Sequence, residues 1–128
     1  MAIKYHNPKS VSLAGKYSLG AEIPVGARVL FVSGQVGVDS RGKIQNGIEK
    51  QVGQVFKNIG QVLRAGGMGF KDVVKVNVFL TDSRFIPTYR SVRDQFLGEP
   101  YPASTLLIVA GLADPAMLVE VEVVAAKS

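Results

Sequence analysis

No cysteine occurs in the 128 residues, and histidine occurs once, as His6. The first absence excludes a disulfide framework and thiol catalysis, and fits a reducing compartment. Together the two exclude a zinc centre built from His and Cys. A histidine-based triad would have to use His6, in an N-terminal segment expected to be mobile. No run of about 18 apolar residues is present, so no membrane span is expected. Met1 to Pro8 has no apolar signal core, and the expected location is cytoplasmic. There is no repeat, low-complexity tract or linker, so residues 1–128 are expected to form one domain. Net charge is +5 with scattered basic residues. That pattern describes a solvated surface better than a nucleic-acid patch, so nucleic acid is not the expected partner.

Apolar residues make up 47% of the chain, enough for a core. Tyr17 to Ile23 and Arg28 to Ser33 read as strands joined by the turn Pro24-Val25-Gly26, which predicts an antiparallel hairpin. Ile48 to Ala65 is the clearest helix. Val52, Val55, Phe56, Ile59, Val62 and Leu63 form one apolar stripe, and Gly66-Gly67 stops it. Val73 to Leu80 reads as a strand, with Val74, Val76, Val78 and Leu80 on one face. Val73, Lys75, Asn77 and Phe79 fall on the other. Ser83 to Phe96 is predicted as a second helix, with Pro87 in its first turn. Ser104 to Val109 and Leu118 to Ala125 close the chain as strands. The order is β-β-α-β-α-β-β. Two helices cover one face of such a sheet, and Phe31 or Phe79 then sits on a face that something else must shield. Self-association is the expected cover.

Tyr101-Pro102-Ala103-Ser104-Thr105 resembles the Pro-Ala-Arg-Ser/Thr signature of the Rid (YjgF) family, also labelled the endoribonuclease L-PSP family. Phe31-Val32-Ser33-Gly34-Gln35 is similar to that family's second strand and turn. Gln51, Asn58, Leu63 and Ala65-Gly66 match its first helix. Val73 to Asp82 is similar to its central Val-Phe-Leu-Thr-Asp segment, and Leu118-Val119-Glu120-Val121-Glu122 to its last strand. The resemblance implies an α+β, chorismate-mutase-like two-layer fold. It also implies a homotrimer whose sheets form a central barrel, with small-molecule clefts between subunits. No cofactor and no metal is implied.

By the same resemblance, Glu120 matches the glutamate that positions the attacking water in imine and enamine hydrolysis. Tyr17 matches a cleft tyrosine, although Lys16 stands where the family has proline. Leu106 marks a cleft backbone amide, and Thr105 and Tyr89 fall at ligand-contacting positions. Ser104 stands where the family's arginine grips the substrate carboxylate. A guanidinium fork makes two charge-assisted bonds, whereas a hydroxyl makes one neutral bond. Losing a charged partner in a buried site costs roughly 2–5 kcal/mol, or about 30- to 5,000-fold in binding. Arg90 and Arg93 are the cations available to replace it.

On pattern alone, Glu120 and Glu122 alternate with the core residues Val119, Val121 and Val123, as two solvated carboxylates would. The resemblance gives Glu120 the catalytic role. Three readings follow: an imine or enamine deaminase of altered specificity, a non-catalytic small-molecule-binding trimer, and an endoribonuclease. The last has only the positive charge behind it, with no acid–base machinery visible.

Overall fold

The computed structural model describes residues 2–128. Its strands are β1 (Lys4–His6), β2 (Gly20–Glu22), β3 (Arg28–Val36), β4 (Val73–Leu80), β5 (Ala103–Ile108) and β6 (Val119–Lys127). Its helices are α1 (Ile48–Ala65) and α2 (Ile86–Arg93). Four strands form one sheet in the order β3-β6-β4-β5, with β4 and β5 parallel and the other pairs antiparallel. Both helices lie on one face. The α+β fold class is as expected from the sequence.

Helix α1 has the bounds its stripe predicts. Val52, Val55, Phe56, Ile59 and Leu63 are all fully buried. Burying each such side chain contributes about 1.5–3 kcal/mol. The helix closes at Gly66, whose N–H donates to Val62 and Leu63 oxygens, and Gly67 follows at φ +73°. That positive φ is a conformation glycine adopts without penalty. Gln51 is buried on this helix and fully bonded. Its Nε2 donates to Gln45 O (3.0 Å) and Ala116 O (2.9 Å), and its Oε1 accepts from Leu118 N–H (2.8 Å). A Cβ on Gly37 would come 2.6 Å from Gln51 Cβ, so the close approach there requires glycine.

The second helical region divides in two. Asp82 caps a 3-10 turn, Ser83–Phe85, and α2 follows with Pro87 in its first turn. It is therefore shorter than the predicted Ser83–Phe96 helix. Phe56 stacks on Phe96 with centroids 5.2 Å apart, and Tyr89 lies 6.2 Å from Phe56. This aromatic cluster joins the two helices.

Three expectations are corrected. The predicted hairpin does not form: β2 pairs with β1, and β3 pairs with β6. Leu30 and Val32 face the helices, so the whole β3 strand is recruited by the apolar β6 rather than by its sequence neighbour. The segment around His6 is paired in a sheet, not the free arm expected. His6 lies on β1, with Nε2 2.8 Å from Glu22 Oε1. Val73 does not share a face with Phe79. The ladder between β4 and β6 skips a residue at Val74, so Val73 and Val74 are both buried.

Opposite the helices the sheet is bare. Phe31 is 76% exposed, and Val29 and Leu107 are exposed with it. That open face is the one the sequence predicted to need a cover. No helix among the described residues is long and apolar enough to cross a membrane.

Candidate functional site

Glu120 stands on the open face of β6. Its ladder partners are Phe79 on β4 and Val36 on β3. Val119 and Val121, on either side, point into the core and are fully buried. Beside Glu120, β3 carries a bulge: Ser33 and Gly34 lie between the pairs Val32–Val123 and Gln35–Val121, opposite Glu122 alone. A bulge re-aims the strand locally. The Glu120 carboxyl lies directly over Gly34, where a Cβ would come 2.8 Å from Glu120 Cδ and collide with Oε2. The missing side chain at residue 34 is therefore what gives this carboxyl its seat.

Ser104 lies elsewhere. It pairs with Val76, and Leu106 pairs with Val78, so both face the helix side of the sheet. Leu106 packs against the core. Thr105 and Leu107 pair with Asn77 and Phe79 on the open side. Thr105 Oγ1 accepts from Lys75 Nζ at 2.8 Å. Two strand spacings, about 10 Å, separate β5 from β6. Within one protomer, Glu120 and Ser104 thus occupy different strands and opposite faces.

A second group gathers at the β5 edge. Ser18 bridges Ala103 in parallel register; its N–H donates to Pro102 O (3.0 Å) and its Oγ to Tyr101 O (2.6 Å). This tie brings Lys16 and the half-buried Tyr17 beside the start of β5. Lys16 Nζ donates to Asp94 Oδ2 at 3.0 Å. Arg93 donates to the other oxygen, Oδ1, from Nε (3.1 Å) and Nη2 (2.9 Å). Burial alone would raise the Asp94 pKa, but the Lys16 and Arg93 hydrogen bonds outweigh it and hold the carboxyl below its ordinary value. The hydrogen bond to Asp94 raises Lys16 in turn, so the ammonium stays charged.

Tyr89 lies beneath this cluster. Arg93 Cζ sits 5.9 Å from the Tyr89 ring centroid, a cation–π arrangement. The tyrosine is 1% exposed, and its hydroxyl has no hydrogen-bond partner among the described residues. Burial pushes its pKa well up. In one protomer it has no surface to offer a ligand, and its contact with the cluster is through the Arg93 guanidinium. Sequence reasoning singled out Lys16 and Arg93 but not Asp94, which joins them across 78 residues of chain. Gly34 enters the sequence reading only through the Phe31–Gln35 resemblance; a glycine inside a strand is the signal that marks it. Among the described residues no group of three His, Asp or Glu could hold a metal.

The geometry now has a context among known proteins. The chain belongs to the Endoribonuclease L-PSP family, the Rid (YjgF) proteins, whose sequence model matches residues 8–127. A human protein named 2-iminobutanoate/2-iminopropanoate deaminase is 32% identical over 119 residues, covering 91% of this chain and 84% of its own. The crystal structure of RidA from an Antarctic Psychrobacter is 36% identical with a TM-score of 0.74, covering 89% of this chain and 90% of that one. A Yersinia pestis protein of the conserved Rid family, titled as of unknown function, superposes with a TM-score of 0.86 at 25% identity, with 98% of each chain covered.

Proposed function

We propose that this chain is an imine or enamine deaminase of altered specificity, working as a homotrimer with clefts between subunits. The observation that carries the reading is the division of the candidate site. Glu120 faces the open side and Ser104 the helix side, so one protomer does not bring them together. A second copy laying its β5 edge against the open face would close a cleft containing both. The exposed apolar residues Phe31, Val29 and Leu107 supply the contact surface for such packing. The likeness to deaminases supplies the reaction class.

In that cleft Glu120 accepts a proton from water as the water oxygen attacks the imine carbon. The proton passes to nitrogen to give a carbinolamine; the hydroxyl proton then follows it to nitrogen as the C–N bond breaks, and ammonia leaves a carbonyl product. Tyr17 lines the cleft beside β5, and the Leu106 backbone amide offers a donor for developing charge. The site makes no use of a cofactor. Ser104 cannot hold a carboxylate as an arginine would, so short 2-imino acids are poor substrates.

Ser104 also favours a second reading, a small-molecule-binding trimer without turnover. Semicarbazide trapping of 2-iminopropionate separates the two. Native protein hydrolyses it slowly, Ser104→Arg raises kcat/KM by roughly ten-fold or more, about 1.4 kcal/mol, and Glu120→Gln in that background removes the gain. A native chain and a Ser104→Arg variant that are both inert, with the oligomer intact, would favour the binder.

A further inference from the structure

The Lys16–Asp94–Arg93 cluster holds more positive charge than its own carboxylate neutralises. Asp94 takes one hydrogen bond from Lys16 and two from Arg93. The Arg93 Nη1 group and the remaining Lys16 protons make no further hydrogen bond among the described residues. Two cations against one anion leave a net positive charge beside Tyr17.

The cluster is also built rather than merely exposed. The Arg93 side chain is only 15% exposed, is pinned by both of its bonds to Asp94, and lies over the Tyr89 ring. A planar guanidinium held this way loses little freedom when it takes a second carboxylate. Lys16, at 55% side-chain exposure, forms the outer wall.

Its position differs from that of Ser104. The Ser18–Ala103 bridge fixes the offset: Ser104 lies one residue beyond it and Lys16 two residues before it. The two positions are three residues apart in register, with Lys16 and Tyr17 in the bend that leads into the bridge. A carboxylate held by the cluster is therefore set back from one that an arginine at position 104 would hold.

Resting on the cleft reading above, we propose that Lys16 and Arg93 form a carboxylate-binding subsite that selects acids whose carboxylate lies several bonds from the reacting carbon. Asp94 aligns the two cations. The expected ligands are longer oxo and imino acids, not the short 2-imino acids.

Calorimetric titration with two monoanionic ketones tests this without any turnover. Pyruvate carries its ketone carbon one bond from the carboxyl carbon, and levulinate carries it three bonds away. Native protein is expected to bind levulinate at least about ten-fold more tightly than pyruvate. Lys16→Met and Arg93→Gln should each lose about ten-fold for levulinate, and Lys16→Arg should retain it. Lys16 is exposed enough that its variant keeps the fold, so it decides the matter if Arg93→Gln unfolds. Levulinate binding that is unchanged in Lys16→Met, pyruvate bound as well as levulinate, or no binding of either ketone by native protein would overturn the proposal. Deamination fails separately: levulinate binding with no ammonia released from any imine would leave the subsite standing and remove the enzyme.

Discussion

Single side chains in this molecule are set by the backbone that faces them. Glu120 keeps its seat because Gly34 has no Cβ and the β3 bulge lifts the strand beside it. Asp82 is set in a comparable way by its own turn. It accepts the Arg84 N–H at 2.9 Å, and the Arg84 guanidinium binds both of its oxygens. The Arg84 side-chain bonds first, and the backbone bond second, lower its pKa from 3.8 to about 2. The folded value lies below the unfolded one. The contribution to stability is therefore complete above pH 3.8 and is lost as pH falls toward 2. Carboxyl-carbon NMR should show Asp82 titrating near 2, and Arg84→Ala should return it toward the ordinary aspartate value of about 3.9. A native midpoint near 3.9 would mean that the Arg84 contacts do not persist in solution. Asp94 follows the same sign, but no local motif announces it. The N-cap at Asp82 can be read from adjacent residues. An ion pair between Lys16 and Asp94 cannot, because only the fold brings them together.

At the scale of elements, the sequence revealed what is periodic and hid what is paired at a distance. Helix α1 was legible to both ends, since an apolar stripe and two glycines mark it locally. Strand β4 was equally plain. Strand β1 was not: three residues carry no alternation, and its partner β2 begins fourteen residues after it ends. The predicted hairpin failed for a related reason. A tight turn at Pro24–Gly26 permits pairing but does not compel it, and β6 offered the longer apolar ladder. The Gln51 contacts were also invisible in sequence, where a glutamine beside the stripe reads as surface. They tie α1 to the loops carrying Gln45 and Ala116 and to the residue just before β6. Gln51→Leu keeps the volume but strips partners from two carbonyls and one N–H, and leaving such a group unpaired costs about 1–3 kcal/mol. Thermal unfolding should show a midpoint several degrees lower. An unchanged midpoint would mean that water replaces all three bonds.

For the whole molecule, the decisive surface is the open face of the sheet. Its apolar residues were legible because Phe31 and Phe79 fall out of phase with the core alternation, and the structure leaves Phe31 bare. The two halves of the candidate site were not legible as separated, since a motif names residues but not the face each one takes. Phe31→Asp places a charge where a subunit contact would desolvate it. Light scattering of native protein should give about three times the 13.7 kDa chain mass. The variant should give the monomer mass with its helical signal retained. Native protein that stays monomeric at micromolar concentration would remove both the trimer and the closed cleft. The placement of Glu120 and Ser104 on opposite faces has a kinetic corollary. A site assembled from two chains exists only as often as the chains meet. Turnover per chain would then fall on dilution, steeply once the concentration drops below that at which half the chains are assembled, and an inert copy of the chain added in excess would poison the active ones by occupying their partners' places.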